Sequence, residues 1–508
     1  MSSSNSHTVS RFDKWWKDVG LRRLILWQVT ILISQMTTGY DESVVGSLQA
    51  MQPWVDDMNH PGDSRLGLMT AVVFVGGFVG AFIASPSADA FGRRIGMLTG
   101  ASLTFIGAVI QTASQNSSTF IGGRFLIGLG ISFTCVAGPS LLFELAHPDM
   151  RGTITSSFNV LWYVGSIICA WTTFGTGHMM NTWSWRIPSL LQGVPAALVI
   201  LAVLFGLPES PRWLYSKGRI DEARHLLTIY HANGDESSDL VARELEEIDL
   251  TLQAEHQARG LSTRGILIKS AANRKRIALV IAVALLTIWN GQSVISYYFS
   301  PILKSIGVTS TSHQTGINGG MQIWNLIWAI AGAVLADRVG RRTLWLTSFF
   351  CMILANVPLT ICSAIYDQHG SKPAAYLVIV FLFFYNAAFN IANNPLLYCY
   401  PTEILPFAIR AKGLSVQIAV SQAALTINQY VNPIALGDIG YYYFIFYLGM
   451  LLLGISIIYF TFPETKGKTE AELACLFEGN DNATPIEGLE AGLKTAHVEE
   501  KRVPIKEV

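Results

Sequence analysis

Two adjacent carboxylates, Asp41 and Glu42, sit in "TTGYDESVVG", after a dozen mostly apolar residues that read as a membrane helix. A charge at bilayer depth costs roughly 2.5 to 3.5 kcal/mol even on a lenient insertion scale. An acid kept there therefore has a partner, a proton or a task. Amides and hydroxyls in apolar runs form a second group that demands a reason. Asn159 and Ser166 lie in "SSFNVLWYVGS", and Asn290, Gln292 and Ser293 lie in "IWNGQSVISYYFSP", followed by Tyr297 and Tyr298. Asn325 stands in a further apolar run, as do Asn394 (beside Asn393 and Pro395) and Asn428 (with Gln429 and Asn432). Each points either to a ligand or to a helix–helix hydrogen bond, the latter worth about 0.6 kcal/mol on average. The cysteines show no metal or redox spacing, and His178, His313 and His369 are scattered in loops. With no nucleophile or metal constellation in the chain, neither an enzyme nor a cofactor or metal is expected.

The elements that must position these groups are membrane spans. The chain has 508 residues, 51% hydrophobic and 14% charged, with a mean hydropathy of +0.38. A soluble domain carries about 25% charged residues. Apolar stretches long enough to cross a bilayer fall near 22–44, 66–86, 95–114, 121–142, 154–176 and 187–207. After a polar stretch they resume near 276–300, 316–336, 343–365, 374–398, 412–436 and 441–462. Lys and Arg collect on the side of the termini, with Arg65, Arg124, Arg186, Lys304 and Lys372 the exceptions. That bias orients both termini toward the cytosol. The polar, basic N-terminus lacks a cleavable signal pattern and reads as a retained tail. A net charge of zero gives no argument for a nucleic-acid partner. Trp162, Trp171, Trp183 and Trp185, at span ends, read as interface anchors.

The halves repeat short motifs in the same order. "DAFGRR" returns as "DRVGRR", "ELAHPDMRG" as "EILPFAIRAKG", and "PESPR" as "PETKG". The offset is close to constant, at roughly 250 residues, as a duplication requires. The expected fold is an all-α membrane protein with twelve transmembrane helices in two six-helix bundles. Its parts are a cytosolic tail 1–21, a bundle 22–207, a cytosolic helical linker 208–275, a bundle 276–465 and a cytosolic tail 466–508. Two such bundles enclose a midplane site between them. The repeated acids and arginines mark helix ends on one side: Asp89, Arg93, Glu144, Arg151, Glu209 and Arg212, then Asp337, Arg341, Glu403, Arg410 and Glu464. Ion pairs among them across the bundle interface would hold that side closed in one state and part in the other. Plain positive-inside anchoring explains some of the arginines but not the matched acids.

The paired GRR motifs, "PESPRWL", "PETKG", "GRFLIGLG" and "ELAHPDMRG" resemble the sugar porter family of the major facilitator superfamily, over residues from about 22 to 475. "NTWSWRIPSLLQ", "YHANGDESSDLV" and "NNPLLYCYPTEILPFAIRAKG" are more similar still to its fungal lactose and cellodextrin permease branch. The resemblance implies alternating access, a small sugar and a proton as cargo, and a plasma-membrane setting; a monomer is expected. Asp41 is similar to the first-helix aspartate that marks proton-coupled members, and Arg124 matches the fourth-helix arginine that pairs with it. The alternative is a permanent salt bridge that only fixes packing. Glu42 is expected on the extracellular side or at the pore rim, with no coupling role.

For the sugar, the resemblance points to the amides and hydroxyls already named, since hydroxyl-rich ligands need donors and acceptors beside an aromatic platform. Tyr398 stands where hexose porters carry a tryptophan. The hexose porters' adjacent glutamine pair would fall near Thr287 and Ile288, so it is absent, and Gln292 and Asn290 take its place with different geometry. This departure favours a disaccharide over a hexose. A passive hexose facilitator and a non-transporting sugar sensor are the alternatives.

Overall fold

The computed structural model describes residues 18–148, 150–259, 271–466, 468, 473 and 476–477. The side chains of some helical residues, including Asn159 and Asp337, lie outside the described set, as do most of the two expected tails. All regular elements among the described residues are helices. The first half contains Val19–Leu48, Asp63–Phe91, Arg93–Ala113, Ser117–Leu145 and Arg151–Thr176, then a sixth span split at Gln192 into Trp183–Leu191 and Gly193–Phe205. The second half opens with a seventh span in three pieces, Ala271–Ile288, Gln292–Tyr297 and Phe299–Ser305. Thr311–Val339, Arg341–His369, Lys372–Ile404, Phe407–Ile439 and Tyr442–Thr461 complete the twelve-span arrangement.

Eight of these spans are long and apolar enough to cross a membrane on composition alone. The first, seventh and eleventh fall short of that, and the fifth is apolar over its described stretch Val160–Thr176. The first and seventh are equivalent helices of the two halves and carry Asp41 and Gln292, as a site between bundles requires.

The seventh span was expected to run unbroken, but it breaks after Ile288. Gly291 takes φ of 94° there, a left-handed conformation that only glycine adopts without strain. Its missing Cβ also makes room for Tyr385 and Tyr447, which crowd that point. The tenth span was expected to break at Asn393–Pro395 and instead continues through Pro395 as one helix. Proline there cannot bond the Ile391 carbonyl one turn back. Gly332 of the eighth span packs against the Asn390 and Ile391 carbonyls, where a Cβ would collide. Asn116, within a glycosylation sequon, caps the fourth span by accepting from Thr119 N at 2.8 Å.

The described part of the expected linker includes three helices, Pro211–Ser216, Ile220–His231 and Asp239–Arg259, around a small core of Leu214, Ala223, Leu227 and Leu245. It docks on the first half. Asn233 accepts from Gly20 N at 3.1 Å, and His231 bridges Glu244 (2.8 Å) and the Leu145 carbonyl (3.2 Å).

Candidate functional site

The first span has two working faces. Asp41 is 1% exposed and turned toward the fourth and sixth spans. Arg124, 0% exposed, meets it in a forked contact: Nη1 lies 3.1 Å from Oδ1 and Nη2 3.5 Å from Oδ2. Gln192 Nε2 adds a third donor to Oδ1 at 2.5 Å, from the point where the sixth span splits. The sequence reading missed Gln192, although a lone amide in "SLLQGVPAALV" is the same kind of signal as the others. Two ions removed from water hold one another only if hydrogen bonds satisfy them. Here three donors converge on one carboxylate.

Glu42, one residue on and about 100° around the helix, faces elsewhere. It is half-buried and lies against the Tyr297 hydroxyl and the Trp162 side chain. The helix turn carries it toward Tyr297 of the second half. Trp162 lies beside it and is not an interface anchor, and Trp185 is fully buried with its indole donated to Asp57 at 2.8 Å. Tyr398, 46% exposed near the end of the tenth span, lies within electrostatic reach of Glu42 and of Cys135 on the fourth span. Groups from spans 1, 4, 5, 7 and 10 thus come together between the bundles.

The second half supplies an amide network beside it. Gln292 Nε2 donates to Asn386 Oδ1 at 2.7 Å and to Ser296 Oγ at 2.9 Å, while its Oε1 has no hydrogen-bond partner among the described residues. Asn325 Oδ1 accepts from Asn390 at 3.1 Å. Asn290 uses its groups at the helix break, donating to Asn393 at 3.4 Å and accepting from Gln292 N at 3.0 Å. Asn428 accepts from Asn432 at 2.6 Å and donates to Tyr447 at 3.2 Å. Tyr163, unnoticed in the sequence, links the halves: its hydroxyl donates to Asn390 Oδ1 and accepts from Asn394 Nδ2, each at 2.5 Å.

Three expected ligands are spent on packing in this state. Ser166 is 0% exposed and donates to the Gly39 carbonyl at 2.9 Å, Tyr298 donates to the Gln429 carbonyl at 2.6 Å, and Ser293 turns back to the Ile288 carbonyl at 3.5 Å. Asn159 and its role lie outside what the side chains describe.

The repeated motifs fold into repeated geometry. Glu209 caps the third span by accepting from Arg93 N (3.1 Å) and Arg94 N (3.1 Å), and Glu464 caps the ninth from Arg341 N (2.8 Å) and Arg342 N (3.0 Å). A carboxylate at a helix N-terminus gains from the orphan N–H groups and the helix dipole. Gly92 and Gly340, at φ of 103° and 108°, leave room for these two carboxylates. Burial raises the Glu209 carboxyl above its usual range, against the backbone donors; at Glu464 burial also acts, but the donors outweigh it and the carboxyl is lowered. Arg93 pairs with Glu144 at 3.2 Å and Asp89 at 3.3 Å, and Arg341 pairs with Glu403 at 2.8 Å.

These pairs were expected across the bundle interface, and in this state each stays inside its own half. Arg151 pairs with Glu247 of the linker at 3.7 Å, Arg410 donates to the Leu405 carbonyl at 3.2 Å, and Arg212 is half-buried beside the Ser210 cap. Contacts between halves gather at the opposite end. Gln49 donates to the Tyr297 carbonyl at 3.2 Å, Lys304 to the Gln49 carbonyl at 3.0 Å, and Asn318 to Ser47 Oγ at 3.0 Å. Phe74 meets Tyr297 edge to face at 5.8 Å.

The family model "Sugar (and other) transporter" matches residues 26–477. The chain is 28% identical over 437 residues to the high-affinity hexose transporter HXT6 of Saccharomyces cerevisiae, covering 83% of this chain and 75% of the yeast protein. It is 26% identical over 462 residues to the MFS-type transporter criB of Aspergillus cristatus, covering 91% and 94%. Among solved structures, the inward-open xylose transporter XylE of E. coli superposes with a TM-score of 0.74 at 21% identity, covering 90% of this chain and 100% of that one. A XylE structure described as a proton:xylose symporter bound to 6-bromo-6-deoxy-D-glucose gives 0.71 at 22% identity, covering 90% and 99%. The chain belongs to the sugar (and other) transporter family of the major facilitator superfamily.

Proposed function

We propose that this protein is a proton-coupled sugar importer of the plasma membrane, with both termini in the cytosol, working by alternating access as a monomer. The observation that carries the reading is the enclosed Asp41–Arg124–Gln192 cluster, with buried amides and aromatic rings of the second half beside the first span. Protonating Asp41 removes the charge that holds Arg124, so a proton can trade against a rearrangement of spans 1, 4 and 6. A structural neighbour described as a proton:xylose symporter is in keeping with this.

For the substrate we propose a disaccharide such as lactose or cellobiose, as in the fungal lactose and cellodextrin branch, although the relatives named above are hexose transporters and XylE. In support, Thr287 folds its hydroxyl back to the Val283 carbonyl at 2.8 Å and Ile288 is buried, so neither presents an amide to a single hexose ring. In this reading Gln292, Asn325, Asn394, Asn159 and Tyr398 contact the sugar, and the arginine clusters are the cytosolic gate. The test is uptake of radiolabelled lactose, cellobiose, glucose and xylose in a transport-null cell, with and without a protonophore. Saturable disaccharide uptake that collapses with the protonophore is expected. Glucose uptake alone, indifferent to the protonophore, would establish a passive hexose facilitator instead.

A further inference from the structure

We infer that Glu42 is itself a substrate ligand, whose carboxylate accepts hydrogen bonds from two neighbouring hydroxyls of the transported sugar. This rests on the sugar-transport reading and adds to it a contact on the first span.

The geometry separates Glu42 from the coupling cluster. Arg124 and Gln192 are committed to Asp41 on one face of the helix. Glu42 belongs to a stripe with Gln35 and Thr38, at i, i+3 and i+7, which is one helical face. Cys135 marks what that stripe faces: its Sγ lies 3.9 Å from both Thr38 Oγ1 and Gln35 Oε1, and the residue is exposed although it sits in the middle of the fourth span. Tyr398, from the other half, is also exposed and within electrostatic reach of Cys135 and Glu42. Gln35 and Thr38 are themselves buried, so Glu42 is the member of the stripe that borders the open space marked by Cys135 and Tyr398.

Within that space Glu42 has Tyr297 of one half and Trp162 of the other beside it. An ionised carboxylate is acceptor-only, with about four lone-pair sites. The two donors beside it among the described residues leave acceptors over for a ligand. Hydroxyl donors to a carboxylate make short, strong hydrogen bonds, and the rings on either side offer apolar faces to the C–H surface of a pyranose. A neutral polyol satisfies such a site without bringing a second charge into the membrane.

The test uses purified full-length protein and direct binding of D-glucose, D-xylose, lactose and cellobiose. Wild type binds at least one of them. For that sugar, Glu42→Gln raises Kd by about tenfold or more, since a charge-assisted bond is lost, and Glu42→Asp raises it less. Monodeoxy derivatives of the same sugar then locate the contact. Two neighbouring positions carry a penalty in wild type, and those penalties shrink in Glu42→Gln. Binding by Glu42→Gln within about twofold of wild type, or unchanged deoxy penalties, overturns the inference. Failure of wild type to bind any of the four sugars overturns the sugar reading, and the inference with it.

Should Glu42→Gln not fold, the native thiol serves instead. With Cys169, Cys351, Cys362, Cys399 and Cys475 replaced by serine, saturating sugar should slow alkylation of Cys135 by N-ethylmaleimide about tenfold, as expected where ligand covers the thiol. An unchanged alkylation rate in protein shown to be saturated with sugar overturns the placement of substrate on this stripe.

Discussion

At the scale of single residues, the division between Asp41 and Glu42 is the main result. Adjacent acids a third of a turn apart serve different surroundings: one is clamped by Arg124 and Gln192, the other lies against Trp162 and Tyr297. The pairing of Asp41 with Arg124 was legible through family resemblance, because both residues stand in recognisable motifs. The placement of Glu42 was not, since a one-residue difference in helical phase cannot be read from a span whose ends are uncertain by a turn. Tyr163 escaped notice because an aromatic residue beside Trp162 reads equally well as an interface anchor. Asp41→Asn keeps shape and hydrogen-bonding capacity but removes the titrating proton, so uphill accumulation and pH-dependent uptake are expected to be lost while exchange down a gradient continues. The steady-state ratio of internal to external sugar at acidic outside pH decides it; accumulation above the external level would make the cluster a packing element. Arg124 then stays buried without its counter-charge, and breaking such a pair typically costs about 3–5 kcal/mol. Gln192→Leu removes one donor and leaves the ion pair, so it should destabilise less than Asp41→Asn in a thermal melt. The reverse order would show that the amide, and not the guanidinium, holds the acid.

At the scale of elements, the helices were readable and their interruptions were not. Apolar runs gave the span positions to within a few residues, but the breaks after Ile288 and at Gln192 depend on tertiary demands. Gly291 turns left-handed where Tyr385 and Tyr447 crowd the helix, and at the split Gln192 keeps its N–H on the Pro188 carbonyl at 3.3 Å while its amide reaches Asp41. Pro395, the obvious breaker in sequence, sits inside a continuous helix because the eighth span's Gly332 packs closely over the carbonyls of that turn. The Pro-Glu motifs after the sixth and twelfth spans turn out to be helix caps at long range, joining Glu209 to the third span and Glu464 to the ninth. Removing either carboxylate strands two N–H groups in the first turn. Glu209→Ala and Glu464→Ala are each expected to cost about 1 kcal/mol, in the range of other lost caps, and to lower the melting midpoint by similar amounts. A large loss for one and none for the other, measured by the same melt, would show that the equivalent geometry does not carry equivalent weight.

At the scale of the whole molecule, duplication explains why polarity falls where it does. The first and seventh spans, which are repeat-related, are both too polar or too broken to cross a membrane by composition alone. The repeated motifs made the two-bundle architecture legible, because a duplicated unit fixes where its copy must begin and end. The state of the molecule was not legible, since the same sequence must support more than one arrangement. In the state seen, the arginine pairs among the described residues lie within their halves, and besides the mid-span link from Tyr163 to Asn390 and Asn394 the contacts between halves gather at the far end, where Asn318 reaches Ser47 at 3.0 Å and Lys304 reaches the Gln49 carbonyl at 3.0 Å. Alternating access requires those far-end contacts to part once per cycle. A Ser47→Cys, Asn318→Cys pair in a background without other reactive thiols tests this, because the two side chains already touch. Oxidative cross-linking should stop uptake and a reductant should restore it, while the cross-linked protein still binds sugar in detergent, where the arginine-bearing end is accessible. Uptake at an undiminished rate in protein shown by mass to be fully cross-linked would mean that this end need not open, and that substrate passes by another route.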